Sequence, residues 1–276
     1  PALLAKADRI PGKSLLFNID QIATLISKDQ RNALLKVFVK VFDESCGYYG
    51  NQGHVARLER DLDKRDQFDA FRETYRRISG LDWEQGREMG ILEEGNVAKA
   101  YAEISGQTAE APTNILTKYR NEYAVSIEDF AEEVSAWLDK QPEGFRLNFF
   151  VDEVGQFIGT NTHLMLNLQT IAESLNTKCR GRAWVFVTSQ EDMDKVLGDR
   201  TRQQGNDFSK IQARFKTRLK LTSADVEEVI RKRLLEKNTA GAKELASIYS
   251  SQSANFRTLF DFVDGAKTYR NYTDED

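Results

Sequence analysis

The chain has 276 residues, enough for one large or two small domains with a substantial buried core. Its 39 basic and 43 acidic side chains leave a net charge of -4, so no global positive field marks a nucleic-acid binder, and only a local patch could serve that purpose. The two cysteines, Cys46 and Cys179, have no partners at metal-ligand spacing, and neither a signal peptide nor a membrane-spanning apolar run is present, a pattern that suggests a cytoplasmic protein.

The chain opens on Pro1 in an apolar, helix-like stretch, Ala2-Leu3-Leu4-Ala5, without a cap, and reads as a piece of something longer. Gly12-Lys13-Ser14 has the last three letters of a phosphate-binding loop, G-x-x-x-x-G-K-[ST]. Ala7 stands where that loop needs its first glycine, Pro11 removes a backbone donor, and Leu15 to Ile19 reads as a buried strand where the loop needs a helix. The tripeptide is therefore expected to be a turn into a strand, with Lys13 solvated.

A helix follows over Arg31 to Glu44, where Leu34, Leu35, Phe38, Val39 and Phe42 recur at helical spacing, and the glycine-rich run Cys46 to Gly53 breaks it. The charged segment from His54 to about Tyr123 has helical periodicity at Phe68, Phe71, Tyr75 and Ile78 and reads as a helical insertion over 47–125, divided by a loop from Gly106 to Thr113. Ser126-Ile127-Glu128-Asp129 opens the next helix with a capping-box-like pattern. Further buried strands are predicted at Leu147 to Val151, Trp184 to Val187 and Phe215 to Leu221, the last an edge with one wet face. Strands alternating with helices predict an α/β architecture on a mainly parallel sheet over 1–222. A small helical unit follows over 223–276, with helices from Thr222 to about Lys237, Ala242 to Tyr249 and Phe256 to Ala266. His54 and His163 read as packing or surface residues, and Trp83, Trp137 and Trp184 as core aromatics.

The chemistry concentrates at Leu147-Asn148-Phe149-Phe150-Val151-Asp152-Glu153, where apolar residues run into adjacent carboxylates at the tip of a buried strand, the place where open α/β sheets carry ligands. In a P-loop NTPase the first acid, Asp152, would hold Mg2+, and the second, Glu153, would orient or deprotonate the attacking water. A surface helix start would favour the same two acids for purely structural reasons. Thr188-Ser189, after the next strand, could bond the attacking water or the γ-phosphate as sensor 1, or simply cap a helix over Gln190 to Val196. Arg214, in Ala213-Arg214-Phe215, is placed to reach a nucleotide on an adjacent subunit as an arginine finger, or to pair locally with an acid. Arg257, expected at the start of the last helix, suits a γ-phosphate-reporting sensor 2 role.

In this order the pieces resemble the AAA+ branch of P-loop ATPases. The stretches IPGKSLLFNID, FVKVFDESCGYYG, VDEVGQFIG, LMLNLQTIAESL, WVFVTSQEDM and GNDFSKIQARFKTRL resemble the BrxC/PglY family, the large ATPases of BREX phage-defence systems. The resemblance implies an ATP- and Mg2+-dependent hydrolase that self-associates and works with a BREX methyltransferase, a PglZ-type protein and small accessory proteins in DNA methylation and restriction, with contact to DNA direct or indirect and no role for a membrane. It also implies that the Walker A strand and loop lie upstream of Pro1 and are central in the sheet, so that the 276 residues alone would not hydrolyse ATP. The competing reading is a non-catalytic scaffold or oligomerisation module of the same complex.

Overall fold

In the computed structural model, residues 5, 8–26, 32–106, 113–158, 161–189, 215, 217 and 226–258 are described. The chain divides into two compact units, Pro1–Lys216 and Thr217–Asp276.

The first unit is α/β, built on a three-stranded parallel sheet in the order β1 (Gly12–Asn18), β2 (Arg146–Asp152), β3 (Ala183–Val187). Alternation assigns the two faces of the sheet. Leu15 and Phe17, with Leu147, Phe149 and Val151, enter a core shared with helices α2 (Ala33–Ser45), α8 (Ile127–Asp139) and α10 (Thr162–Lys178). Phe38 of α2 is its hub, with ring centroids 5.5 Å from Phe17, 5.3 Å from Phe149 and 6.3 Å from Phe130. These edge-on and tilted contacts add to the area each ring removes from water. Helix α1 (Ile19–Ile26) leaves the end of β1 directly, and the short α9 (Val154–Ile158) leaves the end of β2.

The opposite face is open in this structure. Leu16 and Trp184 are 79% and 53% exposed, and Phe150 stacks on Phe186 with centroids 4.6 Å apart. Trp184 is therefore not the core aromatic expected from its residue type: the register that buries Ala183 turns its neighbour outward.

Strand β1 begins earlier than expected, and Gly12-Lys13-Ser14 lie within it, not in a turn. Gly12 is required by close approach, since a Cβ there would sit 2.9 Å from the Arg146 carbonyl oxygen on the neighbouring strand. Lys13 is half-buried, not the freely solvated side chain expected. Its ammonium donates to the Ser45 carbonyl at the end of α2 and lies 5.9 Å from the Trp137 ring centroid, so it closes a helix C-terminus, where a cation is favoured.

Between α2 and α8 lies a helical insertion with its own core. Its helices are α3 (Gly53–Asp63), α4 (Phe68–Ser79), α5 (Trp83–Met89), α6 (Glu94–Ser105) and α7 (Ile115–Glu122), with a 3-10 turn at Gly90–Glu93. Val55, Leu58, Leu62, Phe71, Tyr75, Trp83 and Val97 form its interior, separate from the sheet core. Helix α2 gives way after Ser45, and Gly47 takes φ 92°, a turn that ends the helix as the glycine-rich run predicts. Helix α8 opens with the full reciprocal box: the Ser126 hydroxyl accepts from the Asp129 N–H at 3.0 Å, and the Asp129 carboxylate accepts from the Ser126 N–H at 3.1 Å.

The second unit contains helices α11 (Val226–Arg233) and α12 (Thr239–Arg257). Two helices separated near residue 250 were expected there, and helical backbone is interrupted at Gln252 (φ -124°, ψ 16°), so α12 consists of two helical stretches joined at a kink. Phe215 and Thr217 of the predicted fourth strand are not in a strand, and the rest of that segment, like Gln190 to Val196, lies outside the described residues.

Candidate functional site

Parallel pairing brings the C-terminal ends of all three strands to one edge of the sheet. Asn18 pairs in register with Asp152, and Val151 with Val187, so the residues that follow β3 lie beside the acids that follow β2. The chain leaves β3 along β2, with the Thr188 N–H bonded to the Val151 carbonyl at 3.0 Å and the Thr188 carbonyl accepting from the Val154 N–H at 3.1 Å.

Side chains continue this network. The Thr188 hydroxyl donates to Asp152 Oδ1, and the Glu153 N–H reaches both Asp152 Oδ1 at 3.1 Å and Thr188 Oγ1 at 3.2 Å. Asn18 Nδ2 donates to Glu153 Oε2 at 2.6 Å, while Asn18 Oδ1 accepts from the Gln21 N–H at 3.1 Å and so fixes the amide against the start of α1. Four residues from three strand ends thus form one hydrogen-bonded array.

Glu153 has φ 60°, left-handed backbone that a residue with a Cβ adopts only at a cost. The conformation turns the chain sharply from β2 into α9. Gly155 then passes so close to Ser189 that a Cβ would lie 2.0 Å from its hydroxyl oxygen. Asp152 and Thr188 are exposed, and Asn18, Glu153 and Ser189 are half-buried, so the array is open to a ligand from solvent.

The second oxygen of Asp152, Oδ2, accepts no hydrogen bond among the described residues. No group of three or more His, Cys, Asp or Glu side chains at metal-binding distances occurs among those residues. Magnesium that keeps most of its water and takes its other ligands from phosphate needs one or two carboxylates, which this arrangement supplies.

No family model matches the chain, and no solved structure matches it with significance. No helix among the described residues is long and apolar enough to cross a membrane.

Of the residues singled out in the sequence, the structure brings together Asp152, Glu153, Thr188 and Ser189. Arg214 lies outside the described residues. Arg257 lies in the helical stretch of α12 that follows the break at Gln252, near the helix start that the sequence suggested, and its side chain lies outside the described set. His163 is exposed in the first turn of α10, where its N–H bonds to Asn161 Oδ1 at 3.0 Å. The residue the sequence reading missed is Asn18. The available signal was position: it is the first polar residue after Leu15-Leu16-Phe17, so it ends a strand whose parallel neighbour ends in the two acids.

Proposed function

We propose that the chain carries the hydrolytic half of an ATP site of the AAA+ type, in a BrxC/PglY-like ATPase of a BREX phage-defence system. The observation that supports it most is the convergence of Asp152, Glu153, Thr188 and Asn18 at the C-terminal edge of a parallel sheet, where ligands of open α/β folds bind.

In this reading Asp152 would hold Mg2+, which would supply neutralisation of phosphate charge. Glu153 accepts the proton of the water attacking the γ-phosphorus, the P–O bond to the β-phosphate oxygen breaks, and ADP and phosphate leave. Asn18 donates to Glu153 Oε2 and so orients the carboxylate. Thr188 ties Asp152 to β3, and Ser189 adds a hydroxyl beside it. The phosphate-cradling strand that the resemblance makes central would pair with β3, whose outer edge has no strand partner among the described residues. Arg214 and Arg257 keep the proposed finger and sensor roles, and hydrolysis would drive assembly or remodelling of a DNA-associated complex with the methyltransferase and PglZ-type proteins.

The test is Glu153→Gln in the full-length protein. Turnover should fall by about 100-fold or more, since a positioned general base contributes that much, while ATP binding persists. Unchanged turnover, or an oligomeric state indifferent to ATP and Mg2+, would favour a scaffold.

A further inference from the structure

The helical insertion meets the sheet layer at a buried group of charges unconnected with the strand tips. Arg60, on α3, extends its guanidinium between two helices of the sheet layer. Nη2 donates to Asp43 Oδ1 at the end of α2, and Nη1 lies 2.5 Å from Glu133 Oε1 on α8. Asp43 is 1% exposed and Arg60 8%, and the guanidinium also lies 5.8 Å from the Tyr48 ring centroid. Asp43 Oδ2, Glu133 Oε2 and Arg60 Nε are buried without a hydrogen-bond partner among the described residues.

The other groups facing Asp43 do not restore neutrality. Glu59 on α3 is wholly buried, but its oxygens accept from the Tyr49 N–H at 2.6 Å, Trp83 Nε1 at 2.6 Å and Arg87 Nη1 at 3.0 Å, so Arg87 compensates it. The Cys46 thiol and the Tyr123 phenol are pushed up by burial to about 11 and about 12, and both are neutral at physiological pH. Lys13 is committed to the Ser45 carbonyl, and Lys40 to Glu44 and Asn51. Two carboxylates, Asp43 buried and Glu133 half-buried, therefore share one guanidinium. A proton on one of them removes the excess charge and supplies a donor.

We propose that Asp43, Arg60 and Glu133 form a proton-operated clamp, which fastens the helical insertion to the sheet layer when Asp43 is protonated and loosens it when Asp43 ionises. Burial raises the Asp43 carboxyl from 3.8 to about 6 against the opposing pull of Arg60, so the switch falls in a physiological range. The raised value fixes the sign: the protonated joint is favoured at low pH, and its contribution is lost as pH rises through about 6.

Hydrogen exchange of the α3 amides in the intact protein tests this, once intrinsic exchange is corrected for pH. Between pH 5 and 7.5 the opening of α3 should rise about tenfold, the increase expected when closure retains one proton with this shift. Asp43→Asn, which has no proton to lose, should show a flat profile. Glu133→Gln frees Arg60 for Asp43 alone and should move the rise to lower pH. A wild-type profile without the rise, or one that Asp43→Asn reproduces, overturns the clamp, as does a Glu133→Gln midpoint that stays in place.

Discussion

Gly86 and Tyr75 are fitted to each other in the insertion core. A Cβ at position 86 would lie 1.9 Å from the Tyr75 hydroxyl oxygen and 2.4 Å from the ring carbon that bears it, so the phenol must leave if the glycine acquires a methyl group. Tyr75 donates to Glu93 Oε2 at 2.6 Å and packs edge-on to Trp83 with centroids 5.2 Å apart. Glu93 is itself buried and would retain only the Asn96 amide at 2.9 Å. Overpacking and a stranded carboxylate act in the same direction. Gly86→Ala should cost about 3 kcal/mol, measured by urea unfolding, and a cost below about 1 kcal/mol would show that the ring repacks freely.

At the scale of elements, local chemistry decides boundaries that periodicity leaves loose. Ser126→Ala removes one half of the reciprocal cap and should cost about 1 kcal/mol, read from a shift in denaturant midpoint without a change in slope. The same bonds hold the Asp129 carboxyl below its ordinary 3.8, first through the Ser126 hydroxyl and then through its N–H. That stabilisation is present above the ordinary value and disappears as pH falls through the lowered one, so the gap between wild type and Ser126→Ala should narrow in strong acid without closing, because the Asp129 N–H bond to the hydroxyl does not titrate. The cap was legible because four consecutive residues encode it. Leu147 to Val151 was legible for a similar reason, since a short run bounded by polar residues is sufficient for a buried strand. Lys13 and Trp184 were not. The first depends on the end of a helix 32 positions along the chain, the second on which face of the sheet its register selects, and neither fact is local. Asp152 and Glu153 were visible as an acidic pair after a strand, whereas Asn18 acquires its place only when β1 is paired with β2.

On the scale of the whole first unit, two hydrophobic interiors are joined by little apolar surface. One surrounds Phe38 beneath the sheet, and the other surrounds Phe71, Tyr75 and Trp83 within the insertion. The described polar links between them include Arg60, with Asp43 and Glu133, and Lys40 of α2, whose ammonium donates to Asn51 of the insertion. Cooperativity depends on shared apolar burial more than on a charged joint, so the insertion should open without dragging the sheet with it. Phe71 is wholly buried, with its ring centroid 5.0 Å from that of Trp83, and Phe71→Ala should cost about 3 to 5 kcal/mol. Native-state hydrogen exchange shows where that cost falls. Amides of α3 to α7 should lose protection while those of β2, from Leu147 to Val151, keep theirs. If the β2 amides lose protection equally, the two interiors unfold as one, and Arg60 with its two carboxylates couples them far more tightly than a charged joint of this kind should.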